Sequence, residues 1–156
     1  MIMRLFAFLF GMVLVSGVFA QEEDLSQMLD KALVLNINTK LVSEANKVNW
    51  SFSVTKITIP GKPVAVQLNG KNLKVYINFT PYKEEKEQKA ILVAQGQIWL
   101  QETSTGEGKY LTTLKTIPVA IGEKIKYYPL GVGDSSEYTI ELEIEIIPYS
   151  DLKKSK

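Results

Sequence analysis

The chain has 156 residues, no cysteine and no histidine, and 18 basic against 17 acidic side chains. Without cysteine it forms no disulfide, carries no thiolate nucleophile and offers no site for a lipid thioether; without histidine it has no imidazole to shuttle protons near neutrality or bind a metal. A balance this close to zero also lacks the basic face that displaces counterions from phosphates, so no nucleic-acid partner is expected.

Residues 1–20, MIMRLFAFLFGMVLVSGVFA, read as a secretory signal peptide. Arg4 is the positive start, Leu5 to Val15 are the apolar run, and Val18 and Ala20 stand at the small-residue positions of a cleavage site. Cleavage after Ala20 makes Gln21 the new terminus. The run stops at Gly17 and meets Gln21-Glu22-Glu23-Asp24, short of the about 20 apolar residues that a membrane span needs, so an uncleaved anchor is the lesser reading. The expected location is the periplasm or the medium of a bacterium, because an exported domain without disulfides must rely on its core.

Arg4 is the sole arginine, so the 136 residues left when 20 are taken from 156 hold 17 Lys against 17 acidic side chains and no His, Cys or Arg. That excludes a Ser-His-Asp triad, a Cys-His dyad, a His-ligated zinc and an arginine finger. Carboxylate pairs and Ser-Lys chemistry survive, but the expectation is a protein that is not an enzyme and needs no cofactor. A chain of this size buries enough surface for one domain without staples.

Gln21 to Ala32 places Leu25, Met28, Leu29 and Ala32 at helical spacing, with Asp24 and Gln27 in the capping-box relation, predicting a short helix or arm. From Leu33 the period switches to two, predicting a strand domain over 33–149 and a polar tail over 150–156. Leu33, Leu35 and Ile37 open the first strand. Trp50, Phe52 and Val54 share the phase of the second, which puts Trp50 in the core; the phase then slips at Thr55-Lys56 before Ile57 and Ile59, predicting a bulge. Pro60 to Pro63 is a turn, and Val64, Val66 and Leu68 meet Leu73, Val75, Ile77 and Phe79 in a hairpin across Asn69-Gly70.

Thr80 to Lys89 reads as a charged connection, either a loop or a helical turn capped by Thr80 with Pro81 first. Ala90 to Gln101 is a long strand joined through Gly106 and Gly108 to Tyr110 to Val119, with Pro118 marking an edge or a bulge. Ile125 and Tyr127 form a short strand. Tyr138, Ile140, Leu142, Ile144 and Ile146 alternate with Thr139, Glu141, Glu143 and Glu145, a strand with one buried face. About eight strands and no internal helix predict an all-β fold, a single antiparallel β-sandwich of immunoglobulin-like or jelly-roll-like type, with a small β-barrel as the alternative.

Several groups are candidates for chemistry. If Leu92, Ala94, Ile98 and Leu100 face the core, then Gln95, Gln97, Trp99 and Gln101 share the outer face, and a symmetric hairpin brings Tyr110 and Thr112 beside them. A ring flanked by planar amides is what a sugar platform uses, and the same patch suits a protein partner. The plainer alternative is that Trp99 lies under neighbouring side chains or under residues 80–89. Glu141, Glu143 and Glu145 stand in a row that could gather Ca²⁺ or split a glycosidic bond, but an ion-pair ladder with Lys115, Lys124 or Lys126 is the simpler reading.

Gly131 to Glu137 resembles a phosphate loop only superficially, with Asp134 and Glu137 as a weak cation pair. The sequons at Asn49 and Asn78 matter only in a eukaryotic secretory route. The expected function is an exported, non-catalytic binding or structural module of the cell envelope. It would associate with an envelope or extracellular protein through a sheet face or edge, or, alternatively, bind a polysaccharide through Trp99, Tyr110 and the amides.

Overall fold

Alternating apolar residues from Leu33 onward build eight strands, whose inner faces make the core and whose outer faces carry the polar residues between them. The computed structural model describes residues 25–43, 48–83, 88–101, 106–131 and 138–154. The leader with its Ala20 to Gln21 junction, residues 84–87, and Asp134 and Glu137 lie outside the described residues. Residues 25–30 are helical (α1). The strands are β1 (Leu33–Ser43), β2 (Val48–Thr58), β3 (Val64–Asn69), β4 (Leu73–Lys83), β5 (Lys89–Gln101), β6 (Gly108–Ala120), β7 (Lys124–Tyr127) and β8 (Tyr138–Pro148). The predicted polar tail carries a short helix, α2 (Tyr149–Lys154).

The strands form two antiparallel four-stranded sheets, sheet A in the order β2-β1-β8-β7 and sheet B in the order β3-β4-β5-β6. The two inner faces pack together through Leu35, Ile37, Ile77, Phe79, Leu92, Ile98, Leu142 and Ile144, all buried. This is the expected all-β sandwich. Its strand order is not the Greek key of an immunoglobulin or jelly-roll fold, where a late strand returns beside an early one within each sheet. Every ladder joins chain neighbours except β1 with β8, so the strands run round the molecule in chain order. Nor is it a closed barrel: no ladder joins β2 to β3 or β6 to β7 among the described residues, which leaves four open edges.

Tyr127 pins one open side. Its ring meets Phe79 edge-on at 6.0 Å, and its hydroxyl lies 3.4 Å from that of Thr113, linking β7 of one sheet to β6 of the other. Gly96, opposite Thr113 in the β5–β6 ladder, makes this possible. A Cβ there would stand 2.7 Å from Thr113 Cγ2.

Four local expectations are corrected. The β1–β2 ladder runs without a break from Leu33–Thr58 to Leu41–Trp50, so there is no bulge at Thr55-Lys56; the register shifts at Leu41/Val42 instead. Lys56 therefore occupies an inner-phase position and Ile57 an outer one. The β3–β4 hairpin forms, but its tip is Lys71-Asn72: Asn69 pairs with Lys74 and the Gly70 N–H donates to the Leu73 carbonyl at 2.7 Å. Thr80 to Lys83 is neither loop nor helix, because β4 continues and pairs Pro81 with Leu92. Proline fits there because β3 ends its pairing at Phe79, leaving that side of β4 without a strand ladder that would need the missing N–H.

Trp50 is the fourth. Its phase is the core phase, opposite Leu41, yet it is 43% exposed, and Phe52 is 41% exposed. β2 is the outermost strand of its sheet, and the outermost strand of the opposing sheet, β3, has six residues against its eleven.

Candidate functional site

The site is built on the outer face of sheet B. Strand alternation sends Gln95, Gln97, Trp99 and Gln101 outward from β5, with Leu92, Ala94, Ile98 and the half-buried Leu100 inward. Register then sets the cross-strand rows. Trp99 lies between Lys74 of β4 and Tyr110 of β6, Gln97 between Tyr76 and Thr112, and Gln95 between Asn78 and Leu114. The Trp99 and Tyr110 rings are 5.2 Å apart and tilted by 44°, and they are 43% and 52% exposed. Trp99 is thus open to solvent in the described structure.

The ring pair sits on an open groove of about 860 Å³ lined by Gln67, Asn69, Lys74, Tyr76, Gln97 and Gln101, among others. Gln97, Trp99, Gln101 and Tyr110 of the expected set line it; Thr112 and Gln95 stand beside it, one and two rows along. Gln101 donates to the Gly106 carbonyl at 3.4 Å, and Gln67 donates to Asn69 Oδ1 at 3.3 Å. The β3 and β4 contributors were not foreseen. Asn69 and Lys74 come from the hairpin, whose pairing was legible, but nothing local sets the register of β4 on β5, since the connection between them carries no turn signal. Asn78, one of the two sequon asparagines, faces outward here opposite Gln95. The Asn49 side chain is outside the described residues.

This face is short of charge. Between Lys74 at one end and Lys89 at the other, the outward positions of β4, β5 and β6 are uncharged and include Tyr82, Ile91, Trp99, Tyr110 and Leu114, all exposed. The outer face of sheet A is the opposite. There Lys126 bonds Glu141 at 3.1 Å, Lys124 bonds Glu143 at 3.1 Å, Tyr128 donates to Glu141 at 2.9 Å, and Asn36 donates to Glu145 at 3.0 Å. Both lysines reach diagonally, since their directly opposite partners are Glu143 and Glu145.

The carboxylate row is therefore the ladder expected, with Lys124 and Lys126 as its cations. Lys115 takes no part, because it sits on β6 of the other sheet opposite Ala94. Partial burial alone would raise the Glu141 carboxyl, but the hydrogen bonds from Lys126 and Tyr128 outweigh it and hold the group below its ordinary 4.5. Hydrogen bonds from Lys124 and Asn38 do the same for Glu143. The bond to Glu141 raises Lys126 above 10.5 and Tyr128 above 10.0. These are carboxylates held ionised by fixed partners, the reverse of a general acid poised to protonate a leaving group. No group of three potential metal ligands occurs among the described residues, and no helix among them is long and apolar enough to cross a membrane.

The chain matches no protein-family model, no curated protein and no solved structure.

Proposed function

We propose that this chain is an exported, non-catalytic binding module whose working surface is the groove on the outer face of sheet B, and that its ligand is an oligosaccharide strand. The observation that carries the reading is the exposed Trp99–Tyr110 pair over a groove rimmed by amides. A sugar ring offers C–H faces to stack on aromatic faces, while Gln67, Asn69, Gln97 and Gln101 can donate to and accept from hydroxyls. The groove is open at the surface, which suits a chain that enters and leaves along its length. The absence of His, Cys and Arg after residue 20 supports binding without turnover.

The test is titration with a panel of neutral and acidic oligosaccharides, read by calorimetry and by the fluorescence of Trp99 in a Trp50→Phe background. Binding is expected to at least one glycan, with Trp99→Ala weakening it about 10- to 30-fold, as for an aromatic anchor. A panel without a binder, or one bound equally by wild type and Trp99→Ala, would sink the reading. Export is tested separately by the N-terminal residue of the protein recovered from the periplasm or medium, expected to be Gln21.

A further inference from the structure

Sheet A ends at β2, whose outer edge has no strand partner among the described residues. The other open edges are guarded: β3 and β7 have six and four residues, and β6 carries Lys109 and Lys115 in its inner phase and Pro118. β2 has eleven residues, and from Trp50 to Lys56 it bears one charge. Its inner phase holds a stacked ring pair, Trp50 and Phe52, parallel to within 5° with centroids 6.0 Å apart and more than two-fifths exposed. Inner-phase aromatics left open beside an unpaired edge are half of an interface.

We propose that the other half is a second copy of this chain, with the two β2 strands pairing antiparallel about a two-fold axis through Ser53. Strand addition across a two-fold makes the same segment both donor and acceptor, so the segment must complement itself. Centred on Ser53, it does. Trp50 lies opposite Lys56 of the second copy, Phe52 opposite Val54, and Ser51 opposite Thr55. Each ammonium then rests against an indole face, two cation–π contacts per dimer, while the polar outer phase pairs hydroxyl with hydroxyl.

Neighbouring registers do less. Centred on Phe52, the two Phe52 rings meet, but Trp50 faces Val54 and Lys56 has no ring opposite it, which gives the charge no partner. Centred on Val54, Lys56 faces Phe52, a weaker cation–π ring than an indole. The result is one eight-stranded sheet with β7 at each end.

The chain has no cysteine of its own, so single cysteines report the register directly. Under a mild oxidant Ser53→Cys is expected to form a disulfide-linked dimer, because the axis places each thiol opposite its copy, while Ser51→Cys alone is not, its opposite being Thr55. Sedimentation of the wild type is expected to show mass rising from one chain toward two with concentration. Lys56→Glu should weaken dimerisation about tenfold and Lys56→Arg should preserve it, with unchanged circular dichroism in both. A monomer at every concentration, cross-linking at Ser51 in place of Ser53, or a dimer indifferent to Lys56→Glu overturns the proposal. None of these outcomes touches the groove on sheet B.

Discussion

Thr39 is the single buried polar side chain among the described residues, 1% exposed, and its hydroxyl has no hydrogen-bond partner. A desolvated hydroxyl without a partner costs on the order of 1–3 kcal/mol. Thr39→Val keeps the branched shape that suits a strand and removes the unpaired oxygen, so it should stabilise the fold by about 1 kcal/mol, seen as a higher urea midpoint at unchanged slope. Gly96 is the reverse case. Gly96→Ala puts a Cβ 2.7 Å from Thr113 Cγ2, and the clash should cost about 1–3 kcal/mol. Thr113→Ser removes that methyl while keeping the oxygen that meets Tyr127, so the double variant should recover most of the loss. Neither residue announces itself in the sequence. Thr39 follows the alternation of β1 as any strand threonine would, and the space Gly96 leaves is claimed by a residue seventeen positions later. Trp99 and Trp50 show the limit from both sides. Alternation placed each in its phase correctly, yet phase says which way a side chain points and not whether anything lies over it.

Ladders between β7, β8 and β1 decide how the molecule responds to pH. Glu141 and Glu143 titrate below their ordinary 4.5 in the folded chain, so their contribution is in place above that value and is lost as pH falls through the folded pKa. Lys126 and Tyr128 titrate above 10.5 and 10.0, so theirs is in place below those values and is lost as pH rises through the folded pKa. Urea midpoints should therefore hold level between about pH 5 and 9 and fall on both sides. Glu141→Gln should flatten the acid limb and the alkaline limb together, since one carboxylate shifts all its partners. Added salt should shrink the effect, because the lysines are more than half exposed. The β8 alternation made this ladder legible, and its glutamates needed cations that the short β7 could supply. Elements were misread where two constraints compete. Thr80-Pro81 has the chemistry of a helix start, but pairing with β5 as far as Lys83 overrides it. Lys56 looks like a break in the β2 pattern, but on an edge strand an inner-phase lysine reaches solvent, so the ladder need not slip to expel it.

Eight amphipathic strands with turns between them could only become two layers or a closed ring, and that much follows from alternation. The strand order does not, because a Greek key and a meander use the same strands and differ in which ones meet. Here the meeting that decides is β1 with β8, from Leu33 opposite Pro148 to Ser43 opposite Tyr138, with the Tyr149 N–H donating to the Ala32 carbonyl at 2.9 Å just beyond. Because the first and last strands lie side by side, a circular permutant that joins them by a short flexible linker and opens between β4 and β5 should fold to the same sandwich. A native-like far-UV spectrum with one cooperative melt is the expected result, and a collapsed chain without a sharp transition would count against it. The same pairing sets an order of events. Residues 64–120 hold all of sheet B in one unbroken meander, whereas Asn36 must wait 109 positions for the Glu145 it bonds. A chain threaded through a narrow pore, N-terminus first, would deliver β1 and β2 as a lone hairpin, too small to be stable alone. Sheet B would follow whole, and nothing would lock until β8 arrived. The last strand is the latch, because β8 alone ties β1 to β7 and so completes sheet A.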